Sequence, residues 1–228
     1  MIQCARNNQL LSDMTCLARI GCCRCGASPP QLSSGPLGSV NLLSQIKMRK
    51  IFLLISGLPG SGKTTLAYQL SAAFSLSVID KDEILDQLFN TKGVGDSAWR
   101  RKLSRDSDII LQQKAIASSG AILSSFWHVP GMPMDSGTPT EWIDPLTYQV
   151  VTVHCDCDIK KAAERFLQRK RHNGHLDQDS SYEKLVSNFE QLNQLESLII
   201  GERVIVNTTS TLNLEPIVQQ IRKHLHAA

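Results

Sequence analysis

The chain has 228 residues, 42% of them hydrophobic and 20% charged, with a formal net charge of +3. That length suits one domain of ordinary size with a tail, and no apolar run reaches the ~20 residues that span a bilayer. The excess charge is local. Residues 1–47 hold Arg6, Arg19, Arg24 and Lys47 against Asp13, which leaves 20 basic and 20 acidic groups in the remainder. A neutral remainder lacks the global electrostatic footprint of a nucleic-acid binder, and a cytoplasmic protein with no membrane partner is expected.

The first 47 residues carry five of the seven cysteines, Cys4, Cys16, Cys22, Cys23 and Cys25. The cluster at 22–25 has no second ligand pair at structural zinc spacing. The segment is poor in acids, as transit peptides are, but it has no helical periodicity and contains Ser-Pro-Pro and Ser-Ser-Gly-Pro stretches. It reads as a disordered extension or a mis-called start, with Met48 as the alternative first residue.

From residue 48 onward, short apolar runs alternate with helical patterns, which predicts a parallel sheet covered by helices. The first strand is expected at 50–56 and a helix at 63–74. A short second strand at 77–80 and a helix at 83–90 follow. Next come a long helix at 97–119, a third strand at 121–126 and a proline-rich loop at 127–147. The fourth strand covers 149–155. Asp158 is placed to cap a helix reaching Arg171. A helix at 181–200, a fifth strand at 203–207 and a last helix at 214–225 complete a three-layer α/β/α sandwich with a five-stranded parallel sheet. Ligands in such sheets lie beyond the carboxyl ends of the strands.

The first of those ends is the most informative. Gly57-Leu58-Pro59-Gly60-Ser61-Gly62-Lys63-Thr64 fills every fixed position of the G-x-x-x-x-G-K-[ST] phosphate-binding loop. Its glycines let backbone N–H groups converge on an anion, and the next helix begins at the loop with its positive end toward the same anion. In that pattern Lys63 reaches the β/γ-phosphates of a nucleoside triphosphate, and Thr64, followed by Thr65, offers a hydroxyl to Mg²⁺. Asp80 and Asp82 follow the second strand. Two acids there could divide metal support from proton removal, while Asp82 could equally cap the next helix.

Together, the loop and Ile79-Asp80-Lys81-Asp82 resemble the small P-loop kinases: polynucleotide 5′-kinase, chloramphenicol phosphotransferase, zeta toxins and gluconate kinase. The chain is most similar to uncharacterised kinases labelled AAA-family ATP-binding proteins, which share loops like Ser136-Gly137-Thr138-Pro139-Thr140 and basic segments like residues 169–177. The resemblance implies a P-loop NTPase fold with ATP and Mg²⁺ as cofactors. It implies binding of ATP by residues 57–65 and Asn207, Mg²⁺ support from Thr64 and Asp80, and Asp82 as catalytic base. In the polynucleotide kinase pattern an arginine lies three residues beyond the base; here that position is Leu85, which weighs against nucleic acid 5′-ends as acceptor. No Asn-Lys-x-Asp stretch supports guanine specificity.

Arg165, Arg169 and His172 fall at i, i+4 and i+7, one face of a continuous helix. At the lid position of nucleoside-monophosphate-type kinases, around 165–177, Arg165 and Arg169 are expected to neutralise the transferring phosphoryl group, with a solvated face as the alternative. Cys155 and Cys157 share one side of the fourth strand and read as buried thiols. The loop at 127–147 has no lysine or arginine. It is read as a substrate flap, with Trp127, His128 and Asp135 as binding candidates and packing on the domain as the alternative reading. Its acidity points to a neutral or cationic small-molecule acceptor. ATP-dependent phosphotransfer to a hydroxyl is the expected activity; a nucleic acid or nucleotide-sugar kinase and a nucleotide-binding regulator are the rivals.

Overall fold

The computed structural model describes residues 49–177 and 180–226. The chain divides into a unit over Lys47–Ala228 and a first segment, Met1–Ile46, so the reading of residues 1–47 lies outside the described residues.

Five strands form one sheet in the order β2-β3-β1-β4-β5. They are β1 (Ile51–Gly57), β2 (Ser77–Asp80), β3 (Ala121–Ser124), β4 (Gln149–Asp156) and β5 (Glu202–Asn207). Every pairing is parallel. Among the described residues the α-helices are α1 (Lys63–Phe74), α2 (Lys81–Lys92), α3 (Ser97–Ala117), α4 (Ile159–Gln168), α5 (Tyr182–Asn193) and, after the last strand, α6 (Leu214–His226). Among the described residues, no helix is long and apolar enough to cross a membrane.

Alternation along the central strand explains the layers. Phe52 and Leu54 point to one face and pack with Leu111 and Ala115 of α3 and with Trp127, Ile143 and Leu198. Leu53 and Ile55 point to the other and pack with Leu66 and Leu70 of α1 and Val218 and Ile221 of α6. All four strand residues are fully buried. A strand covered on both faces has no polar side, so it reads as an unbroken apolar run.

Element boundaries differ from the sequence reading where side chains intervene. α2 begins two residues early because Asp80 caps it, its carboxylate accepting from the Asp82 N–H at 2.8 Å. Asp82, the other candidate cap, is left free for the cleft. α4 ends at Gln168, with Arg169 in extended geometry and a 3₁₀ turn at Asn173–His175 beyond it. His172 therefore does not share a helical face with Arg165 and Arg169. α5 stops at Asn193 rather than near 200, and residues 194–200 run as turn and coil with Leu198 packed into the core.

The flap is tied down by Asp108 of α3, which is 8% exposed and joins its own helix to α2 and the flap. It accepts Lys81 at 2.6 Å, Arg105 at 3.1 Å and the Thr138 hydroxyl at 2.8 Å. Thr138 also bonds Ser125 at 2.6 Å, and Arg105 donates to the Gly137 carbonyl at 2.9 Å. The Ser136–Thr140 stretch is thus an anchor for the flap. Removing the carboxylate that holds the largely buried Lys81 ammonium leaves that charge uncompensated, so Asp108→Ala is expected to cost about 3–5 kcal/mol. Denaturant unfolding checks the loss, and hydrogen exchange should show faster opening at residues 136–140.

Candidate functional site

Strand order places the loop between β1 and α1 at the centre of the sheet's carboxyl edge. β3 flanks β1 on one side and β4 on the other, so exits to left and right open a crevice there. Gly60 shows why the loop needs glycine. Its φ is +80°, and a Cβ would lie 2.2 Å from the Ala162 carbonyl. Gly57, at φ +132°, would meet the Cys155 carbonyl at 2.6 Å.

α1 begins at Gly62 with no side-chain cap and no acid in its first turn. α2, α3, α4 and α5 are instead capped by Asp80, Asp96, Asp158 and Ser181. An uncapped helix start behind a glycine loop leaves its N–H groups and positive dipole end for an anion. Lys63 folds back over the loop and donates to the Gly57 and Leu58 carbonyls at 3.0 and 2.8 Å. Burial lowers its pKa from the ordinary lysine value, opposed by the Asp82 and Asp80 carboxylates.

A cleft of about 830 Å³ lies in front of this loop. Pro59, Gly60, Gly62, Lys63, Thr64 and Thr65 line it, as do Asp80, Asp82, Asp135, Arg165 and Arg169. The Thr64 hydroxyl donates to Asp80 at 2.8 Å. Burial raises the Asp80 pKa, resisted by hydrogen bonds from Thr64, Ser124 and the Asp82 N–H. A hydroxyl beside a buried carboxylate is a hard-oxygen pair of the kind Mg²⁺ takes. Arg169 stacks its guanidinium 4.4 Å over Phe166, and its Nε is buried without a partner. Burial and the neighbouring Arg171 lower its pKa. The loop, the oxygen pair and the unpartnered Arg169 nitrogen fit a Mg²⁺-bound polyphosphate.

Arg171, which the sequence marked only as the end of a helix within the basic segment, is central to the site. Its guanidinium bridges Asp82 at 2.7 Å and Asp177 at 2.5 Å. Burial alone would raise the Asp82 carboxyl, but Arg171, His175, Arg169 and Lys63 outweigh it and hold the pKa below the usual carboxylate range. About half of the Asp82 side chain faces the cleft. It therefore stands as an ionised carboxylate within a cationic ring.

Several expected residues lie elsewhere. Trp127 is a core residue, 3% exposed, whose indole N–H donates to the Ile55 carbonyl at 2.9 Å. With Gly57 and Leu58 it lines a separate cavity of about 70 Å³ beside His154. His128 does not line the cleft; its Nδ1 pairs with the Ser136 carbonyl at 2.7 Å and its N–H with Thr138 at 2.9 Å, bracing the flap. Asn207 lies outside the cleft and turns its amide oxygen to the Thr209 N–H at 2.9 Å. Arg165 reaches the cleft, but its amino groups donate to the Thr208 and Thr209 carbonyls at 2.7 and 2.9 Å. It secures the loop after β5. Leu85, 2% exposed, packs with Leu88, Phe89 and Leu103 between α2 and α3, which accounts for an apolar residue there. Cys155 and Cys157 are free and buried, and burial pushes the Cys155 thiol up to about 12.

Comparison with known proteins agrees with this geometry. Residues 52–121 match a family described as an AAA domain. The chain is 31% identical over 166 residues to a cytidylate kinase of Methanosarcina mazei, covering 92% of that protein and 65% of this chain. A cytidylate kinase of Methanosphaerula palustris is 31% identical over 103 residues, 58% of its length and 43% of this chain. Among solved structures, a protein of Chloroflexus aurantiacus assigned provisionally as a kinase superposes with a TM-score of 0.63 at 24% identity, over 77% of this chain and 98% of that one. The fold is that of a P-loop nucleotide-binding domain of the kinase type. The chain belongs to the small P-loop kinase family, and that membership implies ATP binding.

The depressed Asp82 pKa has a signed consequence. A group lowered below its unfolded value of about 3.9 stabilises the fold above that pH and loses the contribution as pH falls through the folded value. Arg171→Ala should therefore lower Tm at pH 7, and its difference from the wild type should shrink below about pH 4. A thermal unfolding series from pH 3 to 7 checks this.

Proposed function

We propose that this chain transfers the γ-phosphoryl group of ATP to a hydroxyl of a small molecule. The observation that carries the reading is Asp82: an ionised carboxylate, kept so by Arg171, lining the same cleft as the phosphate loop. Phosphoryl transfer asks little covalent chemistry of the protein; it asks for alignment and for cations around the moving charge.

The loop N–H groups and Lys63 hold the β- and γ-phosphates. Lys63 exchanges its loop carbonyls for phosphate oxygens, and Arg169 offers its unpartnered Nε to the γ-phosphoryl oxygens. Thr64 and Asp80 would hold Mg²⁺, which neutralises charge on the phosphates when bound. The bond between the γ-phosphorus and the bridging oxygen breaks, and its electrons leave with ADP. The acceptor oxygen forms the new bond, and its proton passes to Asp82. Thr208 and Thr209, held by Arg165, form the floor beside the nucleoside. The 165–177 segment is the lid and 127–147 the flap. Asp135, Ser136 and Gly137 are the flap residues that line the cleft, and Asp135, the charged one, replaces Trp127 and His128 as that loop's substrate contact.

A second reading is transfer to a nucleoside monophosphate, favoured by the cytidylate kinases that this chain resembles. A phosphate acceptor is already ionised and needs no base, so one variant separates the two. Asp82→Asn should lower kcat about 10²–10⁴-fold on a hydroxyl acceptor while ATP binding persists. On a monophosphate acceptor it should keep most of kcat. Lys63→Ala should abolish turnover on either. Acceptor-dependent ADP release and calorimetric ATP binding make both measurements; full transfer by Asp82→Asn on a hydroxyl acceptor refutes the base assignment.

A further inference from the structure

The cleft carries more positive charge than the donor half uses. Nine basic and four acidic side chains line it. Most of the cations have assigned partners. Lys81 is held by Asp108, Arg171 by Asp82 and Asp177, and Arg105 by flap carbonyls. Arg165 is held by the Thr208 and Thr209 carbonyls, and Lys63 and Arg169 serve the phosphates on the reading above. What remains is a run of three consecutive cations, Arg100, Arg101 and Lys102, on the cleft wall formed by α3.

Packing accounts for only part of this run. They begin at the fourth residue of α3, near the helix's positive end, where cations gain nothing from the dipole. Lys102 lies 5.1 Å over the Trp99 ring. Arg100 anchors itself through Nε to the His175 carbonyl at 2.8 Å, which fixes its stem and leaves both amino groups for another partner. Among the described residues, Arg101 makes no hydrogen bond or ion pair. Both guanidiniums share the cleft with Asp82. An anchored arginine beside an unpartnered one, on a rigid helix, is a built receiver for a planar or tetrahedral oxyanion.

We infer that the acceptor itself carries a small oxyanion, a carboxylate or a phosphate monoester, and that Arg100 and Arg101 bind it. The inference rests on the kinase reading and narrows its substrate class. It reverses the expectation drawn from residues 127–147, whose lack of lysine and arginine pointed to a neutral or cationic acceptor. That loop contributes one wall; α3, distant from it in sequence, contributes the cations. A carboxylate-bearing acceptor still presents a hydroxyl to Asp82. A phosphate monoester presents either a hydroxyl or the phosphate itself.

The test is binding with the donor half filled, so it does not depend on turnover. Protein saturated with Mg²⁺ and ADP is titrated calorimetrically with two matched pairs: cytidine 5′-monophosphate against cytidine, and a six-carbon polyhydroxy acid against its polyol. The charged member of at least one pair should bind tenfold or more tightly than its neutral partner. The pair that responds distinguishes phosphate from carboxylate. Arg101→Ala and Arg100→Ala should each weaken that binding tenfold or more, and Arg101→Lys should recover part of it. Arg101 is exposed, so its loss should leave the fold intact, which circular dichroism verifies. Equal binding of both members, binding of no charged member, or unchanged affinity in both alanine variants overturns the inference. Failure of ADP to bind would instead overturn the kinase reading, a result separate from the acceptor arms.

Discussion

One buried carboxylate organises this site. Asp80 ends β2, 4% exposed, and its two oxygens bind different elements. One accepts the Thr64 hydroxyl from α1; the other accepts the Asp82 N–H at the start of α2. Burial penalises its charge, and those hydrogen bonds offset the penalty only in part. The arrangement makes sense where further positive charge enters the cleft. In the fold alone, Asp80 fixes three things at once: the orientation of the phosphate-loop threonine, the first turn of α2, and through that turn the position of Asp82.

Asp82 then inherits its electrostatics from outside its own helix. Its carboxylate is held ionised chiefly by Arg171, whose second contact is Asp177. An exposed ion pair of this kind would contribute little stability. Here Arg171 is 16% exposed and sits between two carboxylates, so the pairing sets protonation state and direction more than it sets stability. The two acids after β2 are thereby driven apart. Asp80 is pushed toward the neutral form by burial, Asp82 toward the ionised form by cations. Splitting neighbouring titratable groups in this way is how one site assigns them different work.

The legibility of the sequence followed the range of the interactions. The phosphate loop, the layer order and the five strands could be read because period-two burial, glycine spacing and cap chemistry are local signals. Asp158 as a cap is one such case, and its carboxylate accepts the Lys161 N–H at 2.9 Å. The substrate side was less legible because its contacts are long-range. Trp127 looked like a flap aromatic, yet its partner is the Ile55 carbonyl, 72 residues away. Arg165 looked free, yet its partners lie 43 and 44 residues on. Arg171 and the cations of α3 carried no signal of a shared site in sequence, and the fold brings them to one cleft. The break in α4 at Gln168 had no proline or glycine to announce it; the chain departs because residues 169–177 find partners on α2 and α3.

Those partners define what the basic segment is in this conformation. His172 stacks on Phe89 of α2 at 5.2 Å, and Gly174 lies so close that a Cβ would meet the Phe89 ring at 2.5 Å. His175 is 2% exposed and pairs with Asp86 of α2 at 2.6 Å, while its carbonyl takes Arg100 of α3. Burial and Arg171 lower the His175 pKa, so near neutral pH the ring donates to Asp86 as a neutral imidazole rather than as a cation. The segment is therefore strapped across α2 and α3 through stacking, a buried imidazole and one backbone carbonyl, with Arg171 brought onto Asp82 as a result. Moving it away from the cleft would release Asp82 from Arg171 and Arg100 from its anchor together, so Asp82 and Arg100 of α3 are coupled to one segment by the same set of contacts.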